Sequence, residues 1–192
     1  MVDGPSGVGK STVTTLLAQR FCAAGHDVLA TSEPSAGPIG ELARGGTHDY
    51  QGLTLACLVA ADRYHHLAAE VRPALAAGRV VVSDRYVPSS LVLQHLDGVP
   101  DPFIWHLNAL ADKPDLTVLL VGDHEVCRRR AQQRGTYSRF HESLDGEVDA
   151  YRRIAASLRE QGYRTHVHDI GDESAERVAD ALFAMVIQEL SC

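Results

Sequence analysis

The chain has little positive charge to spare. Its 18 Lys and Arg stand against 25 Asp and Glu, for a formal net charge of −7. That balance argues against nucleic acid as a main partner, because a phosphate backbone demands a clustered basic excess. Cysteine is equally sparse: Cys22, Cys57, Cys127 and Cys192 lie far apart and form no C-x-x-C pair. A disulfide framework and a cysteine-built zinc site are thereby disfavoured. The histidines include the pairs His65-His66 and His166/His168, with no further Cys or His at zinc spacing. They read as a solvated helix face and a strand edge. No apolar run reaches membrane-spanning length, and no signal-peptide core is seen near Met1, so the expectation is a cytoplasmic protein without a membrane partner. Internal repeats and low-complexity linkers are also lacking.

What is present is a chain of 192 residues, 45% hydrophobic, which predicts a single domain (1–192) able to bury a full core. Short β-rich runs alternate with longer helical patterns, as expected for α/β architecture with a parallel sheet of about five strands. Strands are expected at Asp27–Thr31, at Arg79–Ser83 (a fully buried run), at Leu116–Val121 and at Arg164–Ile170. Helical patterns cover about 50–77, 100–111, 125–134, 145–161 and 174–189. The stretch 32–46, rich in Gly, Pro and Ser, reads as a loop.

Against this background the segment Gly4-Pro5-Ser6-Gly7-Val8-Gly9-Lys10-Ser11-Thr12 stands out. It fits G-x-x-x-x-G-K-[ST], a loop whose backbone N–H groups cradle a polyphosphate at the start of a helix. Val13, Leu16, Leu17 and Phe21 follow at helical spacing, and Gly25 supplies a stop. Lys10 is placed to reach β- and γ-phosphates, and Ser11 to ligate Mg²⁺. Gly4, Ser6, Gly7, Val8, Gly9, Lys10, Ser11 and Thr12 are therefore the candidate residues for binding a nucleoside triphosphate. Only Met1, Val2 and Asp3 precede Gly4. Three residues span about 10 Å, half a typical strand. Either the first strand is very short or the natural start lies upstream, and the second is the favoured expectation.

After the apolar run 79–83 comes Asp84-Arg85-Tyr86. A carboxylate at the C-terminal end of a parallel strand faces the ligand crevice, which makes Asp84 the second candidate Mg²⁺ residue beside Ser11. Arg85 next to it suits a site that holds a second phosphate, since guanidinium binds phosphate bidentately.

Taken together, Gly4–Thr12, Ser32-Glu33-Pro34, Ala60-Ala61-Asp62-Arg63, Asp84-Arg85-Tyr86 with Ser89-Ser90 and Gln94, Pro114-Asp115-Leu116-Thr117 and the arginine-rich stretch Arg128–Phe140 resemble thymidylate kinases, in the same order and over nearly the whole chain. The resemblance implies a three-layer P-loop fold with a helical lid at about 128–142. It also implies phosphoryl transfer from ATP·Mg²⁺ to a nucleoside monophosphate, and a homodimer formed through helices in the region of 50–77. Arg85 resembles the arginine that binds the acceptor phosphate, and Arg44 the one near the acceptor's phosphate and sugar. Arg63 and Gln94 resemble the base-reading pair, with Glu33, Val59 and Ser90 at pocket positions. Arg130 and Arg134, with Arg139 next, resemble lid arginines that stabilise the transferring group.

Some residues depart from the family pattern. Ser6 stands where a loop carboxylate is usual, Val59 where a Phe stacks on the base, Leu93 where a Tyr packs near the sugar, and Ser32 where an Arg precedes Glu-Pro. The opening Asp3–Gly7 is also similar to that of cytidylate kinases. The departures point to relaxed pyrimidine specificity or a specialised monophosphate; family drift with dTMP retained is the other reading. Three rivals remain. A GTP switch protein would need an Asn-Lys-x-Asp element that the chain lacks. A nucleoside kinase would need a carboxylate base, for which Glu33 is the candidate. A non-catalytic paralogue would sit poorly with intact Lys10, Asp84 and Arg85.

Overall fold

A computed structural model describes residues 1–133, 140 and 146–190. Five parallel strands form the central sheet in the order β2-β3-β1-β4-β5: β1 (Val2–Asp3), β2 (Val28–Ser32), β3 (Val80–Asp84), β4 (Thr117–Val121) and β5 (Thr165–Asp169). The strand order reverses on either side of β1. The loop that leaves β1 therefore opens into the crevice where ligands of such sheets bind.

β4 explains the layering. Every residue of it is buried, and its side chains alternate between two cores. Leu119 and Val121 pack with Val87, Val92, Tyr151 and Leu158 on one face; Val118 and Leu120 pack with Val2, Phe21, Val178 and Leu182 on the other. The first core lies under α3 (Gly52–His66), α5 (Val87–Leu96), α6 (Asp101–Leu107) and α8 (Glu147–Glu160), and the second under α1 (Lys10–Ala23) and α9 (Ala175–Leu190). β4 is the strand of the fully buried parallel type. β3 differs from the expectation for it: Val80 and Val81 are only half-buried. β1 pairs with β3 at Asp84 alone, so the first residues of β3, paired with β2 on one side, border a cavity of about 290 Å³ and not a strand on the other.

The long helical pattern at 50–77 is a near-continuous rod. α3 passes through a π-helical turn (Leu67–Val71) into α4 (Arg72–Ala76). The stretch read as loop contains α2 (Pro38–Gly45), which starts with proline in its first turn. Its Gly40 reflects packing, since a Cβ there would fall 2.1 Å from the Ser35 carbonyl oxygen. α7 (His124–Gln133) follows β4, and its last residue is the limit of the described structure on that side. No described helix is long and apolar enough to cross a membrane.

Candidate active site

The segment from Gly4 to Gly9 closes tightly on itself. Val8 N–H donates to the Pro5 carbonyl at 3.2 Å, and Gly9, the residue before α1, has φ 103°, a left-handed conformation natural to glycine. Gly7 is needed twice over. Its φ is 79°, and a Cβ there would sit 2.0 Å from the carbonyl oxygen of Cys127 on α7. No side chain caps α1 and its first turn has no acidic residue, so the unsatisfied N–H groups and the dipole of that helix end are free to meet an anion. Lys10 is 5% exposed and folds back over the loop, donating to the carbonyls of Gly4 at 2.7 Å and Pro5 at 2.8 Å. Burial first, and then the charge of Arg85, lower its pKa from 10.5 to about 8.

Asp84 ends β3 and accepts a 2.5 Å hydrogen bond from Ser11 Oγ through Oδ2. Its other oxygen, Oδ1, is buried with no hydrogen-bond partner. A hydroxyl and a carboxylate in contact, with one carboxylate oxygen still orphaned, fit a hard cation that completes its shell with phosphate and water. Among the described residues there is no cluster of three or more acidic, His or Cys side chains able to hold a metal unaided. A cation here would therefore depend on a bound polyphosphate.

Arg85 follows with φ 72°, unusual for a residue with a side chain. The turn is held from below by Asp3. The Oδ2 of Asp3 accepts from the N–H groups of Tyr86 at 3.2 Å and Ser89 at 2.8 Å, and its Oδ1 from Gly4 N–H and the hydroxyls of Ser89 and Tyr151. Arg85 Nη1 donates to Ser89 Oγ at 2.9 Å. Desolvation works against its charge, but Tyr151, Asp3, Glu147 and Asp84 around it hold its pKa above the ordinary arginine value. Strain at φ > 0 in a turn fastened by a buried carboxylate is what holds a guanidinium beside the loop.

Arg85, Ser6 and Asp84 also border a second cavity of about 220 Å³, walled by the segment after β2, α3 and α5. Glu33, Arg44, Val59, Arg63, Ser90, Leu93 and Gln94 all line it. Glu33 and Arg63 form a buried ion pair of 2.7 Å; Arg63 Nη1 further donates to Ser90 Oγ at 3.1 Å and to Asn108 Oδ1, and its guanidinium lies 5.2 Å over the ring of Tyr86. Gln94 is 3% exposed, and its Oε1 is buried without a partner. Arg44 donates to the carbonyls of Pro34 and Ser35 and to Glu41. A third cavity, about 370 Å³, lies on the far side of the loop between Gly7, Val8, Gly9 and Thr12, Arg130 and Gln133 of α7, and Glu173 and Ser174 before α9.

The residues picked from the sequence are thus divided between two sides of one crevice. Gly7, Val8, Gly9, Thr12 and Arg130 border one cavity, and the Glu33–Gln94 set borders the other. Arg134 and Arg139 lie outside the described residues, as does most of the stretch read as a lid. Sequence reasoning missed Asp3, Glu147, Asn108 and Tyr151. Asp3 could have been noticed as a carboxylate inside an apolar strand. Glu147 is 1% exposed, and its Oε1 accepts from Ser6 Oγ at 3.3 Å. The charge absent from the loop at Ser6 is thereby present beside it, delivered from the first turn of α8. Nothing local distinguishes that residue from an ordinary acid at a helix start. His66 is corrected: it is 1% exposed and bonded to Glu33, so only His65 is on the solvated face.

The thymidylate kinase family model matches residues 2–181. A probable thymidylate kinase of Pyrobaculum calidifontis is 35% identical, with 94% of this chain and 92% of the relative covered. The thymidylate kinase of Ruegeria pomeroyi is likewise 35% identical, over 98% and 94%. A probable thymidylate kinase of Pyrobaculum aerophilum is 39% identical over 72% of each chain.

Proposed function

The chain belongs to the thymidylate kinase family, and on that premise we propose that it transfers the γ-phosphoryl group of ATP to dTMP, giving ADP and dTDP. The observation that carries the reading is the position of Arg85, on a fastened turn between the phosphate loop and a cavity with a buried Arg63 and an unpartnered Gln94 oxygen. A thymine edge presents a carbonyl and an N–H. Arg63 donates to the first and Gln94 Oε1 accepts from the second.

In this mechanism the loop N–H groups and Lys10 hold the β- and γ-phosphates of ATP, whose nucleoside occupies the cavity near Arg130 and Glu173. Ser11 and Asp84 would hold Mg²⁺, which supplies positive charge against the phosphates. Arg85 orients the dTMP phosphate, and Arg44 supports its phosphate and sugar side. Glu33, Val59 and Ser90 wall the base pocket. An oxygen of the dTMP phosphate, already anionic, attacks the γ-phosphorus in line. The bond to the β–γ bridging oxygen breaks and its electron pair leaves with ADP. Arg130, with Arg134 and Arg139, stabilises the charge on the moving group. No general base is required, and Glu33 is badly placed to be one, since Arg63 and His66 occupy both its oxygens. The protein works as a cytoplasmic homodimer.

A coupled ADP-release assay across nucleosides and monophosphates tests the proposal. dTMP is expected to give the highest kcat/KM, exceeding thymidine by at least ~100-fold, the scale of a lost phosphate–arginine contact in the transition state. Preferred turnover of an unphosphorylated nucleoside would sink it.

A further inference from the structure

His66 is a buried titratable side chain that the mechanism above does not use. It ends α3, one helical turn after Arg63, and is 1% exposed. Its Nε2 lies 2.7 Å from Thr31 Oγ1 on β2, and its Nδ1 lies 3.3 Å from Glu33 Oε1. The other oxygen of Glu33, Oε2, accepts from Arg63 Nε at 2.7 Å. Glu33 is therefore divided, one oxygen to each neighbour.

The division matters because of how carboxylate and guanidinium prefer to meet. The favoured arrangement is a fork of two parallel N–H···O bonds. On the Nε side of Arg63 the second tooth of that fork is Nη2. Nη1 is already engaged with Ser90 and Asn108, and among the described residues Nη2 has no protein acceptor. A Glu33 released from His66 would be free to turn its Oε1 onto Nη2 and close the fork. Nη2 would then keep one free hydrogen in place of two for a ligand in the cavity it lines, and the guanidinium would be tied to Glu33 by both teeth of the fork. We infer that His66 is a positioning residue for the acceptor: by holding Glu33 Oε1 to itself, it keeps both hydrogens of Arg63 Nη2, the one beside Nε included, available to a carbonyl of the acceptor base.

Burial disfavours a charged His66, but the hydrogen bond and charge of Glu33, with Glu70 and Asp62 adding, raise its pKa above the usual 6.5. The role does not depend on that charge. The neutral ring with a proton on Nδ1 donates to Glu33 and accepts from Thr31; the protonated ring still donates to Glu33. Thr31 fixes the ring plane so that Nδ1 faces the carboxylate.

The inference rests on the acceptor reading proposed above, and steady-state kinetics with dTMP and dCMP at saturating ATP separates the two. In His66→Leu the KM for dTMP is expected to rise about 10-fold or more, while kcat and the KM for ATP stay within about 3-fold. The kcat/KM preference for dTMP over dCMP should shrink, because one of the two Nη2 donors that can meet the carbonyl has been captured and the guanidinium is drawn to Glu33. His66→Asn places an amide N–H where Nδ1 was and should restore the KM for dTMP and the preference to within about 3-fold of wild type. If His66→Leu does not fold, His66→Met serves under the same criteria. An asparagine variant as poor as the leucine one, or a loss shared equally by kcat and the KM for ATP, overturns the inference. A wild-type enzyme inactive on dTMP overturns the acceptor reading itself.

Discussion

Lys10 is a buried ammonium with a pKa lowered from 10.5 to about 8, its donors turned to the Gly4 and Pro5 carbonyls. Polyphosphate charge favours the protonated form, so ATP binding must raise that pKa. Near pH 8 about half of the free protein lacks this proton, and binding draws it from solvent. The sign follows directly. ATP affinity is flat below about pH 7 and falls as pH rises through 8, because the bound state holds a proton that the free state has lost. Titration calorimetry at pH 8 in two buffers of different ionisation enthalpy should report uptake of about half a proton per ATP. Lys10→Met should abolish the uptake and cost at least ~100-fold in turnover. Uptake unchanged in that variant would assign the proton to another group. Lys10 was legible in the sequence because its neighbours in the chain are its neighbours in space. His66 and Glu147 were not, because what buries them stands 33 and 141 residues away.

At the level of elements, the phosphate loop is shaped as much by α7 as by its own glycines. Gly7 lies against the Cys127 carbonyl, where a Cβ would meet backbone at 2.0 Å while φ is 79°. Backbone on both sides leaves no flexible side chain to yield. Gly7→Ala is therefore expected to push the loop off α7, weakening ATP binding by about 10-fold or more and lowering Tm by several degrees. Differential scanning fluorimetry with and without ATP checks both, and a variant with unchanged Tm and ATP shift would show that the loop adapts freely. The same coupling of element to element explains which helices could be read. α1 and α9 each follow a clear start and stop. α5 gave no amphipathic stripe because Val87 to Val92 are buried all round, and the segment drew notice only for its polar residues and for Leu93. α2 was obscured by its glycines, of which Gly40 is required by its contact with Ser35. Strand positions were read to within a residue or two, since apolar runs between turn signals survive any tertiary context.

Across the whole molecule, four of the six large apolar residues exposed among the described residues stand on helices that pack on one another, the other two being Leu75 on α4 and Leu110 after α6. Leu53 on α3, Leu96 at the end of α5 and Phe103 on α6 are 55%, 45% and 38% exposed, and these three helices pack on one another. Leu42 on neighbouring α2 adds a further 47% exposed side chain. The sequence hinted at this face, since the 50–77 rod carries more apolar positions than one buried stripe needs, but its location required the topology that brings α3, α5 and α6 together. Covering such a surface with a second copy removes apolar area from water at about 25 cal/mol per Å², and a stable pair needs about 800 Å² from each partner. The proposed homodimer therefore predicts a solution mass of twice 20.8 kDa by light scattering at micromolar concentration. Leu53→Glu would bury two charges across a two-fold interface, so it should shift the population to monomer without unfolding the chain. A wild-type protein that runs as a monomer would remove the homodimer. A Leu53→Glu protein that stays dimeric would move the interface off α3, because a glutamate pair at the centre of an apolar contact cannot be desolvated for free.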